Sequence, residues 1–180
     1  MRKTLSLLLG VGLLLSLTQG AVAQNKYVGV KMCAPCHRSA KQGKQFDIWK
    51  GSKHAEAYKT LTSAKADEIA KSKGFKTKAA ETPECLECHT VTADAKLFAK
   101  TFDVKDGVQC EKCHGAGSEY KSISTMKNQT KAVAAGLHIW KNDAEIEALC
   151  KTCHNDKSPT HKTFDFKEMW PKIKHMIPKG

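Results

Sequence analysis

The sequence predicts a mainly α-helical protein with much irregular structure and little or no β-sheet. Apolar residues recur at helical spacing in several short segments. Aromatic residues make up only 7% of the chain and lysine is abundant, so a conventional apolar core would be thin. All eight cysteines fall into close pairs of one spacing. We therefore expect short helices and loops that are organised around the cysteine pairs.

The strongest helix prediction covers residues 55–73. Leu61 and Ile69 lie on roughly one face of such a helix, and Gly74 is placed to end it. A shorter helical segment leads to Trp49. The first half of the chain is therefore expected to contain one short helix and one long one.

The remaining segments give weaker signals. Residues 91–108 are mixed in character and end in a turn signal at Asp106, so a short hairpin is the one candidate for strand structure. Asn142 and Glu145 form a capping box, which predicts the start of a helix. A last helix is expected over residues 164–174.

The first residues read as an export signal. Arg2 and Lys3 precede an apolar stretch at residues 7–17, and small residues at 21–23 predict cleavage after Ala23. The apolar stretch is too short and too interrupted for a permanent membrane span, so no transmembrane segment is expected after cleavage. We expect a signal peptide at 1–23 and a single domain at 24–180, located in the periplasm or outside the cell.

Each cysteine pair has the spacing Cys-x-x-Cys and is followed directly by histidine. Two thiols three positions apart can both reach the vinyl groups of one porphyrin edge, while the adjacent histidine binds the iron. Four haem c groups are therefore predicted. The predicted thioether cysteines are Cys33, Cys36, Cys85, Cys88, Cys110, Cys113, Cys150 and Cys153, and the predicted proximal ligands are His37, His89, His114 and His154.

Three other interpretations of the cysteines fit less well. Zinc ribbons need no histidine after every second cysteine. Disulfides within four identical tight pairs would close only tiny loops. A thioredoxin-like motif would occur once, in a strand–helix pattern that this chain lacks. Haem attachment accounts for every cysteine.

The motifs are not evenly repeated, because their spacings are 52, 25 and 40 residues. Removing 23 of the 180 residues leaves 157 to enclose four haems. The haem faces must then supply most of the buried apolar surface, so the haems are expected to pack closely. By analogy with metal sites, the apoprotein should be largely unfolded.

The charge balance points to an acidic partner. The whole chain carries +12, and since the signal holds two of the 30 basic residues and none of the 18 acidic ones, 28 and 18 remain, giving +10. Four ferric haems, each bringing about −1, would leave about +6, enough to steer encounter with an acidic redox protein. The lysines are scattered and no basic run is interleaved with aromatics, which argues against nucleic acid.

Four histidines outside the motifs are candidates for the opposite face of the irons. His54 follows a tryptophan at a helix start, and His175 lies beyond the last motif. His138 is flanked by apolar residues and could equally be a core histidine, with Met126 as a rival ligand. His161 follows the last motif so closely that a loop position is favoured.

The surroundings of the motifs resemble the tetrahaem cytochrome c-554 family. The resemblance covers most of residues 24–180 and rests on the motif order, on residues 49–55, on the run from Cys110 to Tyr120, and on residues 150–159. It implies a small multihaem cytochrome c fold, mostly helical and wrapped around haems stacked in pairs.

The resemblance also implies axial ligands. It assigns His54 to the haem of the third motif and His175 to that of the fourth, and it leaves the haem of His89 five-coordinate. The first haem would then take its ligand from His138 or Met126.

Three functions are compatible with these features. The leading hypothesis is a periplasmic electron-transfer protein that carries electrons along four haems and needs no catalytic residue. The alternative is a haem enzyme that converts nitric oxide, nitrite or hydroxylamine at an open iron. A third is a subunit of an extracellular conducting assembly. Because almost every informative residue is explained by holding haem, the carrier is favoured over an enzyme.

Overall fold

The computed structural model describes residues 24–176. The signal sequence predicted at residues 1–23, with its cleavage after Ala23, lies outside the described residues. About half of the described chain is helical and no strand forms within it. The prediction of a mainly α-helical protein with much irregular structure is confirmed.

The helices of the described chain are short and are interspersed with 3₁₀ turns. The α-helices are α1 (Ala34–His37), α2 (Gln45–Lys50), α3 (Ala57–Leu61), α4 (Ala64–Ser72), α5 (Pro83–His89), α6 (Cys110–His114), α7 (Ile123–Met126), α8 (Gln129–Ala134), α9 (Asp143–Lys151) and α10 (Phe166–Met169). None of them is long and apolar enough to cross a bilayer.

The long helix predicted over residues 55–73 is divided in two. Ser63 adopts an extended conformation and its Oγ accepts a hydrogen bond from the N–H of Ala66, at 3.2 Å, so that it caps α4 and separates it from α3. A serine cap satisfies a backbone donor that a continuous helix would have used internally. The predicted end is found where expected, because Gly74 follows α4 with a φ of 84°.

The hairpin suggested for residues 91–108 is wrong. Two 3₁₀ turns form there instead, and the extended backbone around Phe98 pairs with Tyr27 in an isolated parallel bridge. The N–H of Tyr27 donates to the carbonyl of Leu97 at 2.8 Å, and that of Ala99 donates to the carbonyl of Tyr27 at 2.9 Å. The N-terminal segment thus takes the hydrogen bonds that a second strand would have made.

The two later helix predictions are met to different degrees. Asn142 Oδ1 accepts from the N–H of Glu145 at 3.0 Å and α9 begins at the next residue after Asn142, which confirms the predicted cap. The last helix is shorter than predicted: α10 has four residues and passes into a 3₁₀ turn, Trp170–Lys172, that contains Pro171. Proline lacks the N–H that a continuing α-helix would need.

The protein core is small. One cluster joins Leu61, Ala70 and Ala79, with Phe75 and Leu86 packed against it. The buried hydrophobic residues of the described chain are Val28, Val30, Phe46, Leu61, Ala70, Ala79, Val91, Tyr120 and Ala132. This scarcity agrees with the expectation that side chains alone do not supply the buried apolar surface.

Candidate haem sites

The second and third motifs lie on helices, the first motif begins at Cys33, the residue before its helix, and the fourth lies at the end of a helix. A helical turn places the two cysteines of a Cys-x-x-Cys pair on the same side, with the histidine next to them. The motif helices are α1, α5 and α6, whereas α9 carries Cys150 and ends before Cys153 and His154. All eight cysteines are free thiols.

The four motifs converge in space. The thiol of Cys110 lies close to that of Cys33, and this proximity is the main reason that the pKa of Cys33 is raised. The first and third motifs are therefore neighbours.

The second and fourth motifs are also neighbours. Burial, followed by the contact with Cys153, raises the pKa of Cys88 to about 11. Burial also raises the pKa of Cys113 to about 11, with contributions from Cys150 and Cys153. The third motif is thus also close to the fourth, so the four attachment points form one connected group.

Two pairs of imidazole rings face each other at the spacing of shared metal ligands. The ring centres of His54 and His154 are 6.1 Å apart, and those of His114 and His175 are 5.9 Å apart. Two imidazoles that bind one metal ion from opposite sides, through bonds of about 2.0–2.1 Å, place their ring centres about 6 Å apart. Each pair therefore has room for one iron between its rings.

These ring contacts differ from the ligand assignment that the family resemblance implied. His54 lies against the histidine of the fourth motif, not the third, and His175 lies against that of the third, not the fourth. The exchange follows from the path of the chain, since residues 54 and 175 are far from both motifs in sequence and only the tertiary fold decides which ring each one meets.

Several histidines are held by their Nδ1 atoms, which leaves Nε2 for a metal. Nδ1 of His89 lies 2.8 Å from the carbonyl oxygen of Ala57. Nδ1 of His114 lies 3.1 Å from the carbonyl oxygen of His138. Nδ1 of His175 lies 3.0 Å from the carbonyl oxygen of Ile173. A carbonyl oxygen only accepts, so each Nδ1 carries the proton. Metal-binding histidines are characteristically oriented by such bonds.

In the first motif, a side chain and not a backbone carbonyl orients the histidine. Nδ1 of His37 lies 3.4 Å from Oε1 of Gln45 in α2. Sequence reasoning missed Gln45 and the three carbonyls, and a backbone carbonyl leaves no signal in a sequence.

Burial favours the neutral imidazole that a metal requires. It lowers the pKa of His114, the pKa of His54 and the pKa of His154. For His54 the neighbouring His154 adds to the effect, and for His154 the neighbouring His161 does so.

His54 is fixed by its backbone. Its carbonyl accepts from the N–H of Val108 at 2.9 Å, and its own N–H donates to Ser52 Oγ at 3.2 Å. Trp49 Nε1 donates to the carbonyl of Val108 at 2.7 Å, which ties α2 to the same loop. Gly107 has a φ of 75°, and a Cβ there would lie 2.5 Å from the carbonyl oxygen of His54. This position therefore requires glycine.

The other candidate ligands lie elsewhere. The backbone of His138 holds His114, through an N–H that donates to the carbonyl of His114 at 3.0 Å, while its exposed ring packs edge-on against Trp140. Met126 is half-buried at the end of α7, and His161 is exposed in a loop. Among residues 24–176, neither His37 nor His89 faces a second imidazole at the spacing of the other two pairs.

These residues fit haem. The thiols are free, the Nδ1 bonds present Nε2 atoms, two ring pairs have the spacing of axial ligands, and the core is thin where haem faces would fill it. Haem, when bound, supplies an iron that takes up and releases one electron.

The comparisons with known proteins agree with this chemistry. Residues 32–115 match the family model described as cytochrome c554 and c-prime. Cytochrome c-554 of Nitrosomonas europaea is 26% identical over 147 residues, which cover 76% of this chain and 60% of that protein. The matches support a multihaem c-type cytochrome family for this chain. This family implies covalently bound haem c as the cofactor.

A second relative is much longer than this cytochrome. The C-type polyheme cytochrome OmcC of Geobacter sulfurreducens is 28% identical over 78 residues, which cover 39% of this chain and 9% of that protein. The chain thus spans less than two thirds of the length of either relative. No solved structure matches it.

Proposed function

We propose that this cytochrome is an exported tetrahaem electron carrier that works in the periplasm or outside the cell. One haem c is attached at each of the four motifs, within a single domain over residues 24–180. The chain takes electrons from a reduced redox protein and delivers them to another.

One observation carries the proposal: thiols that belong to different motifs lie close enough to shift one another's pKa. Cys110 raises the pKa of Cys33, and Cys153 contributes to the raised pKa of Cys88. Both cysteines of the fourth motif contribute to the raised pKa of Cys113. Attachment points this close bring the haem edges together, which supports transfer from one haem to the next without a mobile carrier. The grouping suits a conducting chain more directly than an isolated catalytic haem.

The ring pairs support an axial ligand for two of the four haems. The haem of the fourth motif takes His154 and His54, and that of the third takes His114 and His175. Two imidazoles saturate the iron and lower its potential relative to a histidine–methionine pair. For the first motif, His138 and Met126 remain the candidates, and His161 serves as a spare.

The surface charge supports docking onto an acidic partner. After signal removal, 28 basic and 18 acidic residues remain, so the apoprotein carries +10. Many acidic groups are already engaged at the surface, as in the pairs of Lys151 with Glu147 at 2.6 Å and Lys172 with Glu168 at 2.9 Å. Such exposed pairs contribute little to stability, and the excess of lysine is left to attract acidic surfaces.

The test is the absorption spectrum of the purified, reduced holoprotein before and after addition of carbon monoxide, with the haem-to-protein ratio from the same sample. Four haems per chain are expected. No spectral change would mean that every iron is six-coordinate, that of the second motif included, and that the protein is a carrier. A change that affects about one haem in four would reveal an open iron and would favour a haem enzyme. A ratio other than four would contradict the tetrahaem assignment.

A further inference from the structure

Glu111 lies between the two cysteines of the third motif and is almost completely buried, with 2% of its surface exposed. Its carboxylate accepts hydrogen bonds from backbone N–H groups alone: Val28 at 2.8 and 3.1 Å, Gly29 at 2.7 Å and Gly117 at 2.7 Å. A carboxylate that only accepts is suited to its ionised form. No lysine, arginine or histidine within residues 24–176 forms a salt bridge with it.

The carboxylate of Glu111 lies close to the haem attachment points. It contributes to the raised pKa of Cys33 in the first motif, after the contact with Cys110 and burial. It also contributes, after burial, to the raised pKa of Tyr120, whose hydroxyl donates to the carbonyl of Gly115 at 2.7 Å. The anion therefore sits beside both the third motif and the first.

The fourth motif provides an internal comparison. Its ring pair and that of the third motif have nearly the same spacing, 6.1 and 5.9 Å. The residue in the place of Glu111 is Lys151, which is exposed and paired with Glu147. Two haems with the same kind of axial pair thus differ in the charge of the first residue between their cysteines, and only the third motif has that charge buried.

We propose that Glu111 is a fixed buried anion that lowers the reduction potential of the third-motif haem below that of the fourth, and lowers the first-motif haem to a lesser extent. This inference rests on the proposed attachment of haem to all four motifs. With haem bound, one electron from a reduced redox partner would convert ferric to ferrous iron and remove one positive charge. A nearby anion favours the more positive ferric form, and burial protects this interaction from screening by salt.

The experiment compares redox titrations of the wild-type holoprotein with Glu111→Gln, Glu111→Asp and Glu119→Gln. Glu119 is eight residues further on and exposed, so its replacement makes the same change of charge in water. Glu111→Gln should raise the potential of the third-motif haem, raise that of the first by less, and leave the fourth unchanged. Glu111→Asp, which retains the charge, should stay near the wild type, and Glu119→Gln should have little effect.

An unchanged third-motif potential in Glu111→Gln, with four haems still bound, would overturn the proposal. So would a shift in Glu111→Asp as large as that in Glu111→Gln, because loss of hydrogen-bond geometry would then be the cause. The haem count of each variant, taken separately, tests the proposed function and not this inference.

If Glu111→Gln is not recovered with four haems, the order in which the wild-type haems are reduced still tests the proposal. Haem methyl signals in partially reduced samples give the order of reduction by NMR, and Phe164, stacked on His154 at 4.8 Å, identifies the fourth-motif haem. Reduction of the fourth-motif haem before the third supports the proposal. The opposite order contradicts it.

Discussion

At the residue scale, the histidines fall into three groups. The motif histidines are each placed by the cysteine that precedes them in the chain. His54 and His175 instead approach the rings of His154 and His114 through the tertiary fold. His138 is a third kind, since its backbone orients His114 and its ring does not face that of His114 at ligand spacing. A histidine count alone therefore overstates the number of axial ligands that the described residues bring into place.

Replacing His54 with alanine should convert the fourth-motif haem from low spin to high spin, because the imidazole opposite His154 is removed. Replacing His175 should do the same to the third-motif haem. Electron paramagnetic resonance of the oxidised protein measures the change as about one haem in four. Lys53→Ala, at the exposed position next to His54, is the control and should leave all signals in place. An unchanged spectrum in His54→Ala would remove that residue from the ligand set.

Replacing Gly107 with alanine should destabilise the holoprotein by at least about 1–2 kcal/mol, the cost of a left-handed conformation for a residue with a Cβ. The added carbon would also press on the carbonyl of His54. Gly51→Ala is the matched control, because Gly51 has a φ of −79° and its nearest neighbour would be at an ordinary 3.5 Å. Thermal unfolding measures both, and equal melting temperatures would argue against strain at Gly107.

At the element scale, caps determine where the short helices begin. Ser63 starts α4, Asn128 starts α8 and Asn142 starts α9, each by accepting a hydrogen bond from a backbone N–H three residues on. The capping box at Asn142 was predicted from the sequence because its residues are local. The break at Ser63 was missed because the apolar pattern on both sides continues in phase.

Replacing Asn142 with alanine should weaken the start of α9 and cost about 1 kcal/mol in the free energy of unfolding. The helix carries Cys150, to which we propose that the fourth-motif haem is attached, so the loss should appear in urea denaturation followed at the haem absorption band. Asn142→Asp retains an acceptor for the N–H of Glu145 and should lie close to the wild type. A loss of stability in the aspartate variant equal to that in the alanine variant would show that capping is not the cause.

At the scale of the whole molecule, buried apolar side chains are scarce among residues 24–176, so we expect folding to depend on haem. Only small residues and a few larger ones fill the core, and the buried polar residues Thr82, Thr90, Gln109 and Glu111 serve the backbone. Gln109 and Glu111 fasten the N-terminal segment to the third motif through Val28 and Val30. Attachment of haem to that motif should therefore order the N-terminal segment as well.

Chain produced without haem attachment should be largely unfolded. Far-ultraviolet circular dichroism should show a loss of most of the helix signal relative to the holoprotein, since each short helix lacks the length to be stable alone. The same chain with haem attached is the control. Retention of holoprotein-like helix content in the haem-free chain would show that the side-chain core is sufficient.

The sequence by itself determined the four Cys-x-x-Cys-His motifs, the helical class, the cap of α9 and the excess of basic charge. Each of these depends on residues that are neighbours in the chain, so spacing and residue type are enough to predict them. The tertiary structure decided which motifs meet, which ring faces His114 and which faces His154, and that Glu111 is buried. These features join residues that are tens of positions apart, and only the packed fold brings them within reach of one another.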